Sequence, residues 1–395
     1  MDQTGLPGSR WPVTLAPLAA AVALAAAAVA AGPPAAFGAT HTRAMTSRAN
    51  QVRQVIAYVT AAGKHTGTVT PIRAATNTAL PPVKVGLGPE AIAVTPDGKT
   101  VYVGNTASDT VTPIRTATGT ALPPITTGQT PQDIAITPDG KTAYVANANG
   151  GTVTPIRTAT NTALPSIKAG SGPIAIVVAP DGKTAYALNF GKPNGNGGTV
   201  IPIRTATNTA LRPIRVGQEP QAIAITPDGK TIYVTNGGSN TVTPIRTATN
   251  TALRPVKVGQ FPLAVAVTPD GKTAYVTNAN GGTVTPIRTA TNTALRPIKT
   301  GSGPTTLAVT PDGKTAYVVN TGSSTVTPIR TATNTALRPV KTGHKPLAIT
   351  VTPNGTTVYV VNELSSTVTP ISTATSTALR PIKVGSFPLA IAITP

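Results

Sequence analysis

The 395-residue sequence is poor in the residue types that most often build metal and redox sites. It contains no cysteine, three histidines, two methionines and one tryptophan. The absence of cysteine excludes disulfide bonds, thiolate metal sites and cysteine nucleophiles, and three scattered histidines leave few metal-ligand combinations. The sequence also lacks an HExxH motif, a glycine-rich phosphate loop and a serine–histidine arrangement that would mark a nucleophile. It therefore predicts no cofactor and no metal site, and it argues against an enzyme.

Acidic residues are scarce as well. Twelve Asp and Glu stand against 32 Lys and Arg, which gives a net charge of +20. Such a balance favours anionic partners, and we expect acidic polysaccharide or a cell-envelope polymer, with other proteins as further candidates. Nucleic acid is not the expected partner, because aromatic residues do not interleave the basic ones. A charge that serves only solubility is the alternative.

Long apolar runs are absent after the first 40 residues. The run from Val13 to Ala31, rich in alanine and followed by Gly32-Pro33-Pro34, predicts a secretory signal peptide over residues 1–40. Retention of this segment as a membrane anchor is the alternative. Residues 41–54 form a basic linker, and residues 55–395 form the main domain. We expect a secreted or extracellular protein, and association with the cell surface is part of this expectation.

A repeat of about 42 residues fills the main domain. The turn prolines Pro227, Pro269, Pro311 and Pro353 lie 42 residues apart, and all eight tyrosines occupy one position of the repeat. The stretch from Ala264 to Asn278 shows the unit: two short β-prone segments flank Pro269-Asp-Gly-Lys272, which is turn chemistry. An insertion of five residues falls within Asn189–Gly198.

Each period contains four strand-like pieces, here named a, b, c and d in chain order. Four short strands in about 42 residues are typical of a β-propeller blade. Every strand type occurs eight times, and the chain begins on a strand b and ends on a strand a. We therefore predict an all-β propeller of eight four-stranded blades, closed by pairing of the terminal strands, with seven blades as the alternative. Proline within every strand c predicts a weak or bulged ladder between c and d.

The strings Tyr233-Val-Thr-Asn236 and Tyr275-Val-Thr-Asn278 stand between Thr-Pro-Asp-Gly-Lys and Thr-Ala-Thr-Asn-Thr. They resemble the YVTN-type β-propeller repeat family, and the resemblance covers residues 55–395. It implies an exported or cell-surface propeller, with wider similarity to lactonase-like and quinoprotein-type propellers, and it implies no agreed activity. Many members of that family have aspartate at the end of strand c, whereas this chain has arginine there. The resemblance therefore does not imply a ligand for this chain.

In a propeller the a–b and c–d turns share one face, here named the lower face. Six Asp-Gly-Lys turns lie there, and we interpret their aspartates as turn formers rather than as a metal ring. Arginines of strands c and d reach the same face or its adjoining rim, where we expect an anion-binding surface. These arginines are Arg115, Arg157, Arg204, Arg246, Arg288 and Arg330 of strand c, and Arg254, Arg296 and Arg338 of strand d.

The b–c and d–a loops share the opposite face, here named the mouth, and they are where the repeats differ. Candidate ligand-binding residues of the mouth are Glu90, Gln132, Asp133, Phe190, Glu219, Gln221, Phe261, His344, Lys345, Glu363 and Phe387. Ordinary loop variation is the alternative explanation. The main interpretation is a secreted binding scaffold with a basic face and no catalytic residues. The alternative is an extracellular lactonase-like hydrolase or lyase at the mouth, with His344 beside Glu219 or Glu363.

Overall fold

The computed structural model describes residues 54–63, 66–191 and 197–395. The predicted signal peptide and nearly all of the predicted linker lie outside these ranges, as does the centre of the five-residue insertion. The described chain folds into eight β-sheets, each of which is one blade with strand a inside, then b, c and a divided strand d. The prediction of an all-β, eight-bladed propeller is therefore confirmed.

The a strands are β5 Pro89–Val94, β10 Pro131–Ile136, β15 Pro173–Val178, β20 Pro220–Ile225, β25 Pro262–Val267, β30 Pro304–Val309, β35 Pro346–Val351 and β40 Pro388–Ile393. The b strands are β1 Ile56–Ala61, β6 Thr100–Asn105, β11 Thr142–Asn147, β16 Thr184–Asn189, β21 Thr231–Asn236, β26 Thr273–Asn278, β31 Thr315–Asn320 and β36 Thr357–Asn362. The c strands are β2 Gly67–Arg73, β7 Thr110–Arg115, β12 Thr152–Arg157, β17 Thr199–Arg204, β22 Thr241–Arg246, β27 Thr283–Arg288, β32 Thr325–Arg330 and β37 Thr367–Ser372.

The divided d strands are β3 Thr78–Ala79 with β4 Val83–Val85, β8 Thr120–Ala121 with β9 Ile125–Thr126, β13 Thr162–Ala163 with β14 Ile167–Lys168, β18 Thr209–Ala210 with β19 Ile214–Arg215, β23 Thr251–Ala252 with β24 Val256–Lys257, β28 Thr293–Ala294 with β29 Ile298–Lys299, β33 Thr335–Ala336 with β34 Val340–Lys341, and β38 Thr377–Ala378 with β39 Ile382–Lys383. Short 3-10 turns occupy Ala279–Gly281 and Thr321–Ser323. Blades 1 to 7 start at β5, β10, β15, β20, β25, β30 and β35, and blade 8 combines β40 with β1–β4.

Proline explains why strand d is divided. In blade 4, Pro244 lies at the middle of β22 and has no N–H to donate to its outer neighbour. The c–d ladder therefore pairs Ile245 with Ala252 near the lower face and Val242 with Val256 near the mouth. Between them, the N–H of Leu253 donates to the carbonyl oxygen of Pro244 at 2.8 Å. The interrupted c–d ladder is thus the outcome that the strand-c prolines predict.

The terminal strands close the ring in blade 8. Strand β40 pairs antiparallel with β1, placing Tyr58 opposite Ala392. The N–H of Thr394 donates to the carbonyl oxygen of Ile56 at 3.0 Å, and the N–H of Ala390 donates to the Thr60 hydroxyl at 3.0 Å. Pairing chain ends in this way removes two sheet edges that would otherwise be open to other chains.

The core lies between neighbouring blades. In blade 1, Ala91 and Ala93 pack toward blade 2, whereas Ile92 packs toward blade 8. Alanine stands at the position of Ala91 in most blades, and likewise at that of Ala93. Strand c supplies bulkier groups such as Ile114, which is fully buried and contributes about 1.5–3 kcal/mol of hydrophobic stabilisation.

Candidate functional site

The Asp-Gly-Lys segments of the lower face are structural turns. In blade 5, the Thr268 hydroxyl donates to Asp270 Oδ1 at 2.6 Å, and the N–H of Lys272 donates to the same oxygen at 3.0 Å. Gly271 takes the positive φ of 71° that the turn requires. In blade 2, the hydroxyl of Thr137 is the main cause of a lowered pKa for Asp139. Each of the six aspartates accepts the N–H of the lysine two residues later, within its own turn.

Tyrosine and asparagine of the repeat join neighbouring blades at the lower face. The Tyr275 hydroxyl lies 2.7 Å from Asn334 Oδ1 in the c–d turn of the next blade. The same bond closes the ring from Tyr359 to Asn77 at 2.6 Å. Three junctions differ. Gly119 offers Tyr58 of blade 8 no side chain, Ser376 replaces asparagine opposite Tyr317 of blade 6 at 3.4 Å, and Asn250 Oδ1 after blade 3 has no hydrogen-bond partner among the described residues. Tyrosine occurs at its position in all eight repeats and asparagine at its position in six, and the bond between them holds neighbouring blades together.

The mouth has a ring of eight residues that precede the strand-a prolines, and all have φ between 49° and 67°. Each carbonyl oxygen accepts the N–H of the residue that follows strand b, at 2.8–3.1 Å. Three blades place glycine there, which is the residue that this backbone region favours. The other members of the ring are Thr130, Glu219, Phe261, Lys345 and Phe387. Sequence reasoning missed this feature, although glycine at one register in three blades was a usable signal.

Glu90 and Gln132 form the first polar cluster of the mouth. They occupy equivalent positions at the start of adjacent inner strands, β5 and β10. Gln132 Nε2 donates to Glu90 Oε2 at 2.9 Å. Burial is the largest influence on Glu90 and raises its pKa, while the bond from Gln132 acts in the opposite direction. The structure thus brings together two predicted site residues, and burial makes the Glu90 carboxyl group a weaker acid than an exposed glutamate.

Asp133 lies behind this pair and faces the junction between blades 2 and 3. Its side chain is 2% exposed, and its two oxygens accept the N–H groups of Ile134 and Ile176 at 2.9 and 2.8 Å. Burial raises the pKa of Asp133 to about 7. Six other blades place alanine at this register, and blade 6 places Thr306 there. Asp133 is thus an interior carboxyl group beside the mouth rather than an open ligand-binding group.

Glu219, Gln221 and Phe261 form a second cluster, between blades 4 and 5. Gln221 Nε2 donates to the carbonyl oxygen of Glu219 at 3.1 Å. The Phe261 ring packs closely enough that a Cβ on Gly237 would lie 3.1 Å from its Cε2 atom. This cluster combines an aromatic edge with amide and carboxylate groups, a mixture that suits a hydroxyl-rich ligand.

Lys345 and Glu363 form the third cluster, within blade 7. Lys345 Nζ lies 2.6 Å from Glu363 Oε2, and the Glu363 side chain is only 16% exposed. The acid therefore pairs with lysine rather than with His344, which is exposed and whose backbone N–H donates to the Ser365 hydroxyl at 2.7 Å. Phe387 is 43% exposed, and Phe190 is half-buried beside Gly172. The contacts bring neither phenylalanine into one of the three clusters.

The predicted anion-binding arginines occupy two different places. The strand-c arginines end their strands at the lower face. The strand-d arginines lie between the two halves of strand d, on the outer wall of the ring. All are exposed: Arg115, Arg157, Arg204, Arg246, Arg288, Arg330, Arg254, Arg296 and Arg338.

Within residues 54–63, 66–191 and 197–395, no group of three or more His, Cys, Asp or Glu side chains could hold a metal ion. The same ranges contain no helix long and apolar enough to cross a membrane.

Comparison with known structures gives several similar propellers. A protein described as Kuenenia stuttgartiensis hydrazine synthase is 25% identical, with a TM-score of 0.59, over 73% of this chain and 96% of that chain. The dihydro-heme d1 dehydrogenase NirN is 13% identical, with a TM-score of 0.72, over 85% of this chain and 74% of that one. A putative 6-phosphogluconolactonase from Bacteroides fragilis is 20% identical, with a TM-score of 0.62, over 88% of this chain and 100% of that one.

No curated protein matches the chain. A family model described as "Lactonase, 7-bladed beta-propeller" matches residues 50–167 and 160–300, which is more than half of the chain. The eight blades seen here are one more than that description gives. The expectation that the protein is not an enzyme is wrong, because the family model that matches the chain is that of a lactonase family. The chain belongs to the lactonase family of β-propellers.

Proposed function

We propose that the protein hydrolyses lactones at the mouth, with Glu90 as the general base. The observation that carries this assignment is the half-buried Glu90 carboxyl group, held by Gln132 at the start of the innermost strand of blade 1. A general base is most effective when its pKa lies near the working pH, and burial moves the pKa of Glu90 upward toward that range. Membership of the lactonase family supports the choice of reaction.

The chemistry needs only water as a second reactant. Glu90 accepts a proton as the water oxygen attacks the lactone carbonyl carbon. The bond between that carbon and the ring oxygen then breaks, and the ring oxygen takes the proton. The product is one open-chain hydroxy acid. Gln132 holds the carboxylate by donating to Oε2, and the side chain of Thr106 forms a further hydrogen bond with Glu90.

Sugar lactones are the substrate class that the mouth favours. Substrate hydroxyl groups can bond to polar side chains around Glu90, of which the Thr106 hydroxyl is one. The similarity to a putative 6-phosphogluconolactonase supports the same class. Lys345 at the mouth is a candidate partner for a substrate phosphate or carboxylate.

The test is hydrolysis of glucono-1,5-lactone and of its 6-phosphate by the wild type and by Glu90→Gln. General-base catalysis is worth about 10²–10⁴-fold, so we expect kcat to fall at least about 100-fold in the variant. Glu219→Gln, which changes a mouth carboxylate of the second cluster, is the matched control and should keep most of kcat. Full activity in Glu90→Gln would remove Glu90 from this role. Wild-type rates no faster than the uncatalysed reaction with both lactones would reject the function.

We also propose that the repeat is of the YVTN type and that the protein is exported. The strings around Tyr233 and Tyr275 support the first statement, and the apolar segment Val13–Ala31 supports the second. The mass of the protein recovered from outside the producing cell would test export, since a signal peptide cleaved near residue 40 should be missing. A full-length mass would contradict cleavage.

A further inference from the structure

The outer wall of blades 3 to 7 carries a repeated pair of cations. In each of these five consecutive blades, strand d contains arginine, proline, isoleucine or valine, and then lysine or arginine. The pairs are Arg212 and Arg215, Arg254 and Lys257, Arg296 and Lys299, Arg338 and Lys341, and Arg380 and Lys383. All ten side chains are exposed, and none forms an ion pair with a carboxylate of the described residues. We name this surface the basic arc.

Edge protection accounts for only part of this pattern. Strand d is the free edge of each blade, and charged residues and proline commonly keep such edges from pairing with other chains. Blades 8, 1 and 2 have the same exposed edge, yet they place Pro81, Pro123 and Pro165 at the position that arginine occupies in the basic arc. Proline at this position is therefore enough to protect the edge of a blade. The arginines are additional to edge protection and are confined to one continuous stretch of the wall.

Clefts between blades lie beside these cations. One of about 600 Å³ is lined by Leu253, Arg254, Pro255 and Lys257 of blade 4 and by the turn at 291–294 of blade 5. Another, of about 400 Å³, is lined by Lys341 of blade 6 and by Thr367, Leu379 and neighbouring residues of blade 7. Each cleft thus combines an apolar floor, hydroxyl groups and a cation.

We propose that the basic arc binds an acidic polysaccharide whose chain runs around the wall from blade to blade. Arginine can bond a carboxylate through two N–H groups, and the threonine hydroxyls of the clefts can bond sugar hydroxyls. The outer strands of the basic arc contain no aromatic residue on which a nucleic-acid base could stack. This distinction favours polysaccharide over nucleic acid.

The affinity of the basic arc for a polymer would come from weak contacts that are repeated in five blades. A single exposed charge pair contributes about 0–1 kcal/mol, so one blade alone would hold a sugar acid weakly. Five blades linked in one ring bind successive parts of the same polymer, which raises the overall affinity without any single strong contact. Such binding weakens as salt concentration rises, because the exposed charges are screened over about 8 Å at physiological ionic strength. The surface lies away from the mouth, so this inference does not depend on the lactonase assignment.

The experiment measures binding of polygalacturonate to the wild-type protein and to two variants with equal charge. In the first variant, Arg212, Arg254, Arg296, Arg338 and Arg380 are replaced by glutamine. In the second, the same change is made at five strand-c arginines: Arg115, Arg157, Arg204, Arg246 and Arg288. Neutral dextran and a single-stranded oligo-dT of matched charge are the comparison ligands. Thermal unfolding of each variant shows that the ring is intact.

We expect the first variant to bind polygalacturonate at least tenfold more weakly than the wild type, and the second to change less than threefold. Equal losses in both variants would show that net charge alone attracts the polymer, which overturns the assignment to the basic arc. Tighter binding of oligo-dT than of polygalacturonate would overturn the choice of polysaccharide. An absence of wild-type binding at low salt would overturn the proposal as a whole.

Discussion

The lower face and the mouth are built from the same repeat, yet their side chains differ in how much they vary. At the lower face, the same tyrosine, asparagine, aspartate and lysine recur, and their hydrogen bonds repeat from blade to blade. At the mouth, the backbone hydrogen bonds repeat, whereas the residue before each strand-a proline is glycine, threonine, glutamate, phenylalanine or lysine. Backbone contacts hold the mouth in shape without the side chains, which are therefore free to differ and to carry a function.

The burial of charge shows the same contrast. Burial acts to raise the pKa of the exposed Asp270, but hydrogen bonds from Thr268 and Lys272 together outweigh it, so the pKa is lowered. The pKa is lowered in the same way at Asp97, Asp139, Asp228 and Asp312. Glu90 and Asp133 at the mouth have raised pKa values, and burial is the main cause in both. Groups that stabilise turns stay ionised, while the carboxyl groups whose pKa is raised, Glu90 and Asp133, lie in one sector of the mouth. Such clustering is typical of functional sites.

Asp133→Ala should give the largest change in stability. The folded protein keeps a proton on Asp133 up to about pH 7, whereas an unfolded aspartate releases it near pH 3.9. The contribution of Asp133 to wild-type stability should therefore be most favourable below about pH 4 and decline until about pH 7, at up to about 1.4 kcal/mol per pH unit. The alanine variant should lack this decline, since most sister blades already have alanine there. Urea unfolding at pH 4.5 and pH 7.5 measures the difference, and an unchanged pH slope would exclude Asp133 as its source.

Tyr275→Phe should have an intermediate effect. It removes the hydrogen bond to Asn334 of the next blade and should lower the free energy of unfolding by about 1 kcal/mol. Tyr58→Phe is an internal control, because Gly119 gives that hydroxyl no side-chain partner. The control should remain within about 0.5 kcal/mol of the wild type. Equal losses in the two variants would mean that the Tyr–Asn bond does not stabilise the lower face.

Lys272→Ala should have the smallest effect. Its ion pair with Asp270 is 3.8 Å long, with side chains 82% and 56% exposed, so the loss should stay within about 0.5 kcal/mol. Asp270→Ala should cost more, about 1 kcal/mol, because Oδ1 accepts bonds from Thr268 and from the N–H of Lys272. Thermal unfolding distinguishes the two. A larger loss for the lysine variant would show that charge, rather than turn geometry, dominates this face.

Much of the fold follows from local patterns. The turn at Pro269-Asp-Gly-Lys272 predicts a hairpin, and proline in strand c predicts the interrupted outer ladder at Pro244. Counting the strands predicts closure between β40 and β1, because each end of the chain lacks the strand that the other supplies. These features depend on spacing within one repeat or on the number of repeats, and both can be read directly from the chain.

The candidate site was predictable only in part. Sequence reasoning placed Glu90, Gln132 and Lys345 at the mouth, but it could not pair them, because each partner choice depends on how neighbouring loops are oriented. Glu363 shows this, since its predicted partner His344 is one residue from Lys345, the partner that it contacts. The burial of Asp133 was also unpredictable, because the N–H of Ile176 that it accepts belongs to the next blade.

The sequence by itself determined the strand pattern, the eight blades and the register that separates lower face from mouth. The pattern and the register are encoded within about 42 residues, and the number of blades follows from the number of repeats. Only the tertiary structure decided that Tyr275 bonds to Asn334, 59 residues away, and that Glu90 is held by Gln132, 42 residues away. It also decided that Asp133 is buried and that the strand-d arginines face outward. The physical reason is that Tyr275, Glu90 and Asp133 lie where neighbouring blades pack together once the ring has closed. Their contacts, burial and pKa values depend on residues of another blade.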